Sequence, residues 1–289
     1  MSHQDEFCHV WRPETWLETG GEDAFEFLQS QFSNDLTPVK TGGCVYGLWL
    51  DRKGKCLADS FVFQRADRTG FVLCSYFSPH QTIRSSLEAH LVSEDVSLDE
   101  RTNGIAAVTV SAGATVPTGL MQFPGLRGIP GAMEVVGSDS EISSFLQALR
   151  AAGVRELEAG EMARSRMAAG IPAVPDDIGP GDLPQEGGLD REAISYTKGC
   201  FLGQEVMARL KAMGQVRRRL FRARGTGQIP ARLEKLFHAG KPVGEIRSTA
   251  ADHDGWVALA MLSVAHGPPA GKVSRVADGA PDVAIEAIE

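Results

Sequence analysis

Cys200 is the residue whose surroundings in the sequence best suit chemistry. It lies in the segment KGCFLGQE, residues 198 to 205, two residues after Lys198 and directly before a predicted helix. A neighbouring cation and the positive end of a helix dipole both stabilise a thiolate, so the pattern is typical of a reactive cysteine. Burial as a small apolar side chain is the common alternative for a lone cysteine, and local chemistry alone favours that alternative.

The helix after the cysteine is predicted by apolar residues that recur at helical spacing. The residues on that face are Leu202, Val206, Leu210 and Met213. Gly214 follows them and is suited to end the helix in a left-handed conformation. Packing therefore accounts for most of this segment and leaves the residues before the helix for chemistry.

The remaining cysteines indicate a reducing compartment and a structural role. The five cysteines are an odd number and contain no CxxC pair, which fits neither a disulfide framework nor a zinc ribbon. Cys44, Cys56 and Cys74 lie in strand-like apolar runs, so we interpret them as core residues. None of the seven histidines lies at HExxH or HxxxH spacing, and we expect no metal site.

Charge and composition favour a soluble protein. The formal net charge of −8 argues against a surface that binds nucleic acid or an anionic membrane over its whole extent. Apolar runs stop well short of the ~18 residues needed to span a bilayer. The acidic start MSHQDEF lacks the features of a signal or transit peptide, so we expect a cytoplasmic location. The length of 289 residues allows two or three lobes.

Strands and helices alternate along the first two thirds of the chain, which indicates an α+β fold. Capping patterns and apolar spacing predict helices at 22–32 after a Thr19/Glu22 capping box, at about 79–91 after Ser78, at 138–149 after a Ser138/Glu141 capping box, and at 161–169. Strands are predicted at 44–50, 55–64, 71–76, 105–111 and 132–136. The first two strands form a hairpin around the turn at 51–54.

The composition of the sequence changes after about residue 170. Residues 171–190 are dominated by Pro, Gly and Asp and are predicted to form an irregular loop. Short strand-like segments follow at 217–224, 243–248 and 256–262, separated by turn residues. This pattern predicts a small all-β domain at the end of the chain.

The segment KGCFLGQEVMAR resembles the signature of the folate-binding YgfZ-type proteins, relatives of the glycine-cleavage T-protein aminomethyltransferases that assist iron–sulfur cluster assembly or repair. Further segments extend the resemblance over nearly the whole chain in the family's order. They are FLQSQFSNDL (27–36), LDRKGKCLAD (50–59), RMAAGIP (166–172), LPQEGGLD (183–190), VRRRLF and VGEIRS. Because the resemblance covers nearly the whole chain, it favours a functional role for Cys200 over burial as a small apolar side chain.

The resemblance implies a ring of three lobes around a central folate pocket, with a small C-terminal β-barrel and the signature cysteine close to the pterin. It divides the chain into residues 1–216, the folate-binding region of two interleaved α+β lobes, and residues 217–289, the barrel. Cys200 and Lys198 are its candidate catalytic residues. The residues that it implies for binding tetrahydrofolate or a derivative are Glu186, Gly199, Gln204, Glu205 and Arg209. Glu186 is suited to accept two parallel N–H bonds from the pterin ring.

Two positions depart from the pattern of the relatives. A gapless comparison places Thr82 where the aminomethyltransferases use an aspartate with the folate amine, and a hydroxyl cannot replace a carboxylate in that electrostatic task. Ala168 differs from the Arg-hydrophobe-Glu pattern common in relatives, so one folate contact is expected to be missing. Both departures argue against transfer of the glycine-cleavage type.

Seven cations and no acid occupy the sixteen residues from 209 to 224. They are Arg209, Lys211, Arg217, Arg218, Arg219, Arg222 and Arg224. Three interpretations stay open: a solvated surface, guidance of the glutamate tail of folate, and contacts to RNA. The residues for the last two are Lys211, Arg217, Arg218 and Arg219. Because Phe221 is the only interleaved aromatic residue, the folate tail is favoured over RNA.

These inferences lead to a folate-dependent accessory factor for the assembly or repair of iron–sulfur proteins, with iron–sulfur enzymes as clients. Cys200 acts there as a nucleophile or as a transient cluster or sulfur contact, and the sequence does not choose between these roles. The alternatives are an aminomethyltransferase or methyltransferase that uses tetrahydrofolate, and a non-catalytic module that binds folate or docks a client.

Overall fold

The computed structural model describes residues 6–214, 216–265 and 271–288. Its strands are β1 Phe7–Trp11, β2 Thr15–Gly20, β3 Cys44–Leu50, β4 Cys56–Gln64, β5 Gly70–Ser75, β6 Ser97–Glu100, β7 Ile105–Val110, β8 Met121–Pro124, β9 Met133–Ser138, β10 Arg155–Glu156, β11 Arg218–Gly225, β12 Lys235–His238, β13 Lys241–Asp252, β14 Gly255–Ser263, β15 Lys272–Val273 and β16 Val283–Ala287. Its helices are α1 Ala24–Gln31, α2 His80–Glu88, α3 Asp139–Ala151, α4 Ala159–Ala169 and α5 Gln204–Met213.

The first two sheets are interleaved along the chain. One sheet has the order β10-β1-β7-β9-β8, and the other has the order β3-β4-β5-β2-β6. The chain starts in the first sheet with β1, crosses to the second for β2 to β6, and returns with β7. Helices α1 and α2 pack on the second sheet, and α3 packs on the first. This mixture of sheets and packed helices confirms the predicted α+β class.

The third sheet contains the last six strands and curls into a nearly closed barrel. Its order is β12-β13-β14-β11-β16-β15. The two edges meet where Phe237 and Ser274 exchange backbone N–H···O bonds of 2.8 Å. A core around Trp256, Ala258 and Leu262 fills the interior. This arrangement agrees with the predicted β-barrel, while the division of the chain at 216/217 stays a prediction.

A shared apolar core joins the barrel to the rest of the molecule and fixes the segment around α5. Leu48 of β3, Met167 of α4, Phe201 and Met207 pack in one cluster with Leu220 of the barrel. The turn at 51–54 lies against α5. No helix within the described residues is long and apolar enough to cross a bilayer.

Several sequence predictions of helix ends are corrected by the structure. Thr19 lies in β2 and donates to the Phe71 carbonyl, so it forms no capping box for α1, whose N-cap is Asp23. The N-cap of α2 is Pro79, because the hydroxyl of Ser78 is used elsewhere. The Ser138/Glu141 capping box of α3 is confirmed.

The face of α5 also differs from its prediction. Met213 is 66% exposed, whereas Met207 is fully buried and carries the packing that Met213 was expected to supply. Gly214, with φ of 66°, ends the helix as predicted. The correction matters for the site because Met207, unlike Met213, packs against the turn at 51–54 and the loop that contains Gln185.

Candidate functional site

A cavity of about 210 Å³ lies between the second sheet, the barrel and the loop at 171–192. The second sheet contributes Tyr46 and Asp59, the residues after β5 contribute Tyr76 and Phe77, and the barrel contributes Arg219 and Leu220. The rest of the wall comes from Leu126, the end of α4, the loop at 171–192 and Ile288. The irregular loop supplies the largest share of the wall, and long loops in compact proteins are often functional.

Glu186 places a buried carboxylate in this wall. It lies at the end of a 3₁₀ turn, Pro184–Glu186, and is 5% exposed. Its Oε2 accepts from the backbone N–H of Leu183 at 2.8 Å. Arg218 donates from Nε to Oε1 at 3.1 Å and from Nη2 to Oε2 at 2.9 Å, which is a bidentate pair. The structure therefore puts Glu186 in the cavity wall and also gives it a cationic partner from the barrel.

Further ion pairs tie the same wall to the barrel. Asp182, also buried, accepts from Arg218 Nη2 at 3.0 Å and from Arg247 Nη1 at 3.2 Å. Arg218 belongs to β11 and Arg247 to β13, so two barrel strands hold two carboxylates of the loop. Charges of opposite sign alternate along this cluster, which compensates the burial of each one.

Asp59 is a second carboxylate in the cavity wall, and the sequence reasoning did not single it out. Tyr46 donates to it at 2.9 Å, and Ser75 and Ser78 donate at 2.6 Å each. Within the described ranges no cation pairs with it. Burial raises the pKa of Asp59, and the three hydroxyl donors act in the opposite direction. Such a group can hold or release a proton closer to neutrality than an ordinary aspartate.

The departures noted in the sequence have a different meaning in the structure. Thr82 lies in α2 and is not part of the cavity wall, whereas Asp59 is. The cavity therefore contains a carboxylate although Thr82 lies outside it, and the expectation about Thr82 and the folate amine stays a prediction. Ala168 is also outside the wall, and its carbonyl accepts from Arg222 at 2.9 Å.

The cavity also offers flat aromatic surfaces and a cationic rim. Tyr46, Tyr76 and Phe77 present rings to it, and the exposed side chains of Arg191 and Arg219 lie at its edge. Of the predicted tail-binding residues, Arg219 alone lines the cavity. Arg191 was missed because it lies outside the run of cations that drew attention in the sequence.

The signature segment lies outside the cavity wall. Cys200 is exposed, and Gly199, Glu205 and Arg209 are exposed as well. Gln204 opens α5 after Gly203, whose φ of 83° and close approach to the Asp51 carbonyl exclude a side chain. The structure therefore places none of these residues in the lining of the cavity, and their roles toward a folate stay predictions.

Lys198 uses its ammonium within the protein. Its Nζ donates to the backbone carbonyls of Gln29, Phe32 and Asn34 at 2.6, 2.7 and 2.9 Å. Burial lowers the pKa of Lys198 to about 8. An ammonium has three N–H groups, and all three are engaged. Lys198 therefore has no N–H left to donate to Cys200, and the expectation that its charge stabilises a thiolate there stays a prediction.

The run of cations divides into engaged and free residues. Arg218 pairs with two carboxylates, and Arg222 pairs with Glu286 at 3.0 Å. The others have no ion pair within the described ranges; they are Arg209, Lys211, Arg217, Arg219 and Arg224. Lys211 instead lies over the ring of Tyr196 at 3.9 Å. The free charge is thus spread over α5 and β11 and is not one uninterrupted surface.

Cys56 and Cys74 are fully buried, as predicted for core residues. Cys44 is only partly buried and packs against the core, and burial raises its pKa to about 12. No cluster of three or more His, Cys, Asp or Glu residues suited to a metal ion occurs in the part of the chain that the structure describes.

Comparisons with known proteins agree with this architecture. A family model of the GCVT N-terminal domain matches residues 14–115, and a model of the CAF17 C-terminal β-barrel domain matches residues 217–281. The solved structure of glycine cleavage system aminomethyltransferase T from Bartonella henselae superposes with a TM-score of 0.80 at 16% identity, over 99% of this chain and 87% of that one.

Two curated relatives extend over most of the sequence. The human protein named iron-sulfur cluster assembly factor IBA57, mitochondrial, is 26% identical over 86% of this chain and 75% of its own length. The tRNA-modifying protein YgfZ of Edwardsiella ictaluri is 26% identical over 94% of this chain and 88% of its own length.

The three sheets, the last of them the barrel, define a protein with the aminomethyltransferase-like fold that matches the GCVT N-terminal domain and the CAF17 C-terminal barrel. Its sequence is similar to YgfZ and IBA57 proteins, in agreement with the resemblance found in the sequence.

Proposed function

We propose that this protein is a cytoplasmic, folate-dependent accessory factor for the assembly or repair of iron–sulfur proteins. The observation that carries the proposal is the buried carboxylate of Glu186 in the wall of the cavity between the second sheet and the barrel. The names of the human and Edwardsiella relatives support the cellular role, since one is called an iron-sulfur cluster assembly factor and the other a tRNA-modifying protein. Iron–sulfur enzymes are the proposed clients.

The residues of the cavity fit the chemistry of a folate. A pterin is a flat ring with N–H donors, and the wall offers aromatic faces beside the acceptor Glu186. The volume of about 210 Å³ is below the roughly 300–1,000 Å³ of pockets that enclose whole ligands. The ring would therefore be buried, while the acidic tail of the folate would extend past Arg191 and Arg219.

The bidentate contact predicted between Glu186 and the pterin needs one change. Both oxygens of Glu186 already accept from Arg218. Oε2 accepts from Leu183 as well, so of the roughly four lone-pair sites of the carboxylate only one, on Oε1, is unused. A ring edge with two parallel N–H groups needs a site on each oxygen, so the pterin competes with Arg218 for Oε2. The guanidinium can release that site by shifting toward Asp182, which it already contacts.

Titration with tetrahydrofolate tests the binding step. We expect saturable binding, measured by quenching of intrinsic fluorescence under anaerobic conditions, and a loss of at least about tenfold in affinity for Glu186→Gln, because a buried acceptor of charge-assisted bonds is replaced. Glu22→Gln, an exposed acid outside the cavity, should bind like the wild type. Absence of wild-type binding would sink the proposal. Glu205→Gln reports separately whether the signature helix contributes.

Cys200 is proposed as the functional thiol, either as a nucleophile or as a transient contact for a cluster or sulfur. Its exposure supports a role toward a partner protein, because an exposed thiol can reach another molecule. The test is complementation of [4Fe–4S] enzyme activity under oxidative stress in cells that lack the protein. Cys200→Ala should fail to restore activity, and full rescue by this variant would remove the thiol from the mechanism while leaving folate binding untouched.

A second candidate function is transfer of a one-carbon group to tetrahydrofolate, and Asp59 is the observation that favours it. A carboxyl group whose pKa is raised by burial can exchange a proton with a ring or bridge nitrogen of a bound folate. Methylene-tetrahydrofolate produced from an aminomethylated lipoyl carrier, and lost in Asp59→Asn, would establish this activity. Binding without turnover would leave the accessory role, or that of a folate-binding or client-docking module.

A further inference from the structure

Residues 192–202, which contain Cys200, are hydrogen-bonded to the end of helix α1, although about 160 residues separate the two segments in sequence. Asn34 Nδ2 donates to the Glu192 carbonyl at 2.8 Å, and Ser33 Oγ donates to the Ala193 carbonyl at 2.6 Å. In the other direction, the backbone N–H groups of Ser195 and Leu202 donate to the carbonyls of Ser33 and Ser30 at 3.0 and 3.2 Å. The bonds bracket the exposed residues 199 and 200 on both sides.

Lys198 provides the centre of this attachment. Helix α1 ends at Gln31 and has no basic residue in its last turn. The last carbonyls of a helix have no intrahelical donors, and their partial negative charge favours a cation. The ammonium of Lys198 meets both requirements, since it donates to the carbonyls of Gln29 and Phe32 and reaches on to Asn34. A lysine distant in sequence therefore acts as the C-terminal cap of α1.

Gly199, between Lys198 and Cys200, does not restrict the backbone conformation in a comparable way. A Cβ added at Gly199 would meet no atom within 4 Å, and its φ is not in the left-handed region. Cys200 is itself exposed, so packing of its own side chain does not fix it. Lys198, two residues earlier and therefore within about 7 Å along the chain, is the nearest anchored side chain before the thiol.

We propose that Lys198 is a positioning residue: it fixes the backbone that presents Cys200 by donating its ammonium to the three carbonyls at the end of α1. The inference rests on the proposed function of Cys200 and replaces the role of thiolate activator that the sequence suggested for this lysine. It also explains why the segments FLQSQFSNDL and KGCFLGQE form one unit in the fold.

Amide hydrogen exchange and cysteine alkylation together test the inference. In Lys198→Met the three carbonyls lose their donor, so the protection of the Ser195 and Leu202 amides should fall by at least about tenfold, while α3 keeps its protection. The pH profile of Cys200 alkylation by iodoacetamide, followed by peptide mass spectrometry, should keep its midpoint. Lys53→Met, which removes an exposed cation of the turn at 51–54, should change neither readout.

The opposite pattern would overturn the proposal. If Lys198 activates the thiol, Lys198→Met moves the alkylation profile to higher pH and leaves the exchange of Ser195 and Leu202 unchanged. Lys198→Arg keeps a cation at the helix end and should retain more protection than Lys198→Met, which covers the case in which the methionine variant is poorly folded. Rescue of iron–sulfur enzymes by Cys200→Ala bears on the proposed function alone, since the exchange result does not depend on it.

Discussion

Arg218 pairs with two buried carboxylates, Glu186 in the cavity wall and Asp182 in the same loop. Arg218→Ala leaves Glu186 without its bidentate partner, and an unpaired buried charge is costly. We expect the free energy of unfolding to fall by about 1–3 kcal/mol, less than for fully enclosed pairs, because 39% of the Arg218 side chain is exposed. Urea denaturation measures the change. Arg224→Ala, on the same strand without an ion pair in the described structure, should stay within about 0.5 kcal/mol of wild type.

The raised pKa of Asp59 makes the free energy of unfolding depend on pH. Burial raises its pKa in the folded protein above the ordinary 3.8, so the folded state holds this proton more tightly than the unfolded chain. The resulting stabilisation is complete below pH 3.8 and is lost as the pH rises through the folded pKa. Asp59→Asn keeps the three hydroxyl partners and lacks the titration. Its stability relative to wild type should therefore increase with pH in denaturation series, and a constant difference would contradict the raised pKa.

At the residue scale, the sequence identifies candidate functional residues better than it identifies the residues that they contact. The family pattern pointed to Glu186, Lys198 and Cys200, and the structure places the first in a cavity wall and the last at the surface. It could not show that Lys198 caps α1 or that Arg218 holds Glu186, because both contacts join residues far apart in the chain. Asp59 was overlooked for the same reason: in a strand it looks like one polar residue among apolar neighbours.

The turn at 51–54 and helix α5 form a contact between elements that a glycine makes possible. Gly54 has φ of 70°, and a Cβ there would come within 2.6 Å of Met207 Cε and 3.1 Å of Val206 Cβ. Gly54→Ala should cost about 2–4 kcal/mol, since overpacking adds to the strain of a left-handed residue. Gly104→Ala has a similar φ of 86° with no neighbour within 4 Å, so it isolates the strain alone, about 1–2 kcal/mol. If thermal denaturation shows the same loss of stability for both variants, the contact with α5 does not contribute to the stability of the fold.

At the element scale, periodicity predicted what local sequence controls. The hairpin of β3 and β4, the capping box of α3 and the end of α5 were all predicted, because each depends on residues within a few positions. Ser78 fails as an N-cap because its hydroxyl is engaged by Asp59, nineteen residues earlier. Short edge strands such as β10 and β15, two residues each, exist through pairing with distant strands, which no local pattern reveals.

At the scale of the whole molecule, resemblance predicted the three-lobed ring, and composition did not. The cavity exists because β3 and β4, the loop at 171–192 and β11 converge, and these segments span most of the chain. Their meeting depends on interleaved strand order, which follows from long-range pairing and not from hydrophobic spacing. The run of cations was visible in the sequence, but the fold alone divides it into Arg218, which is paired, and Arg219, which is at the cavity edge.

The distribution of charge over the whole molecule leads to a prediction about folate tails. The net charge of −8 repels a polyanionic ligand, so its binding must depend on local cations such as Arg191 and Arg219. Tetrahydrofolate triglutamate should bind about 3–10-fold more tightly than the monoglutamate at 50 mM salt, and the gain should nearly vanish at 500 mM, where screening is strong. Isothermal titration of both ligands measures it. The double variant Arg191→Ala, Arg219→Ala should lose the gain and Arg224→Ala should keep it; a gain that survives in the double variant would place the tail elsewhere on the molecule.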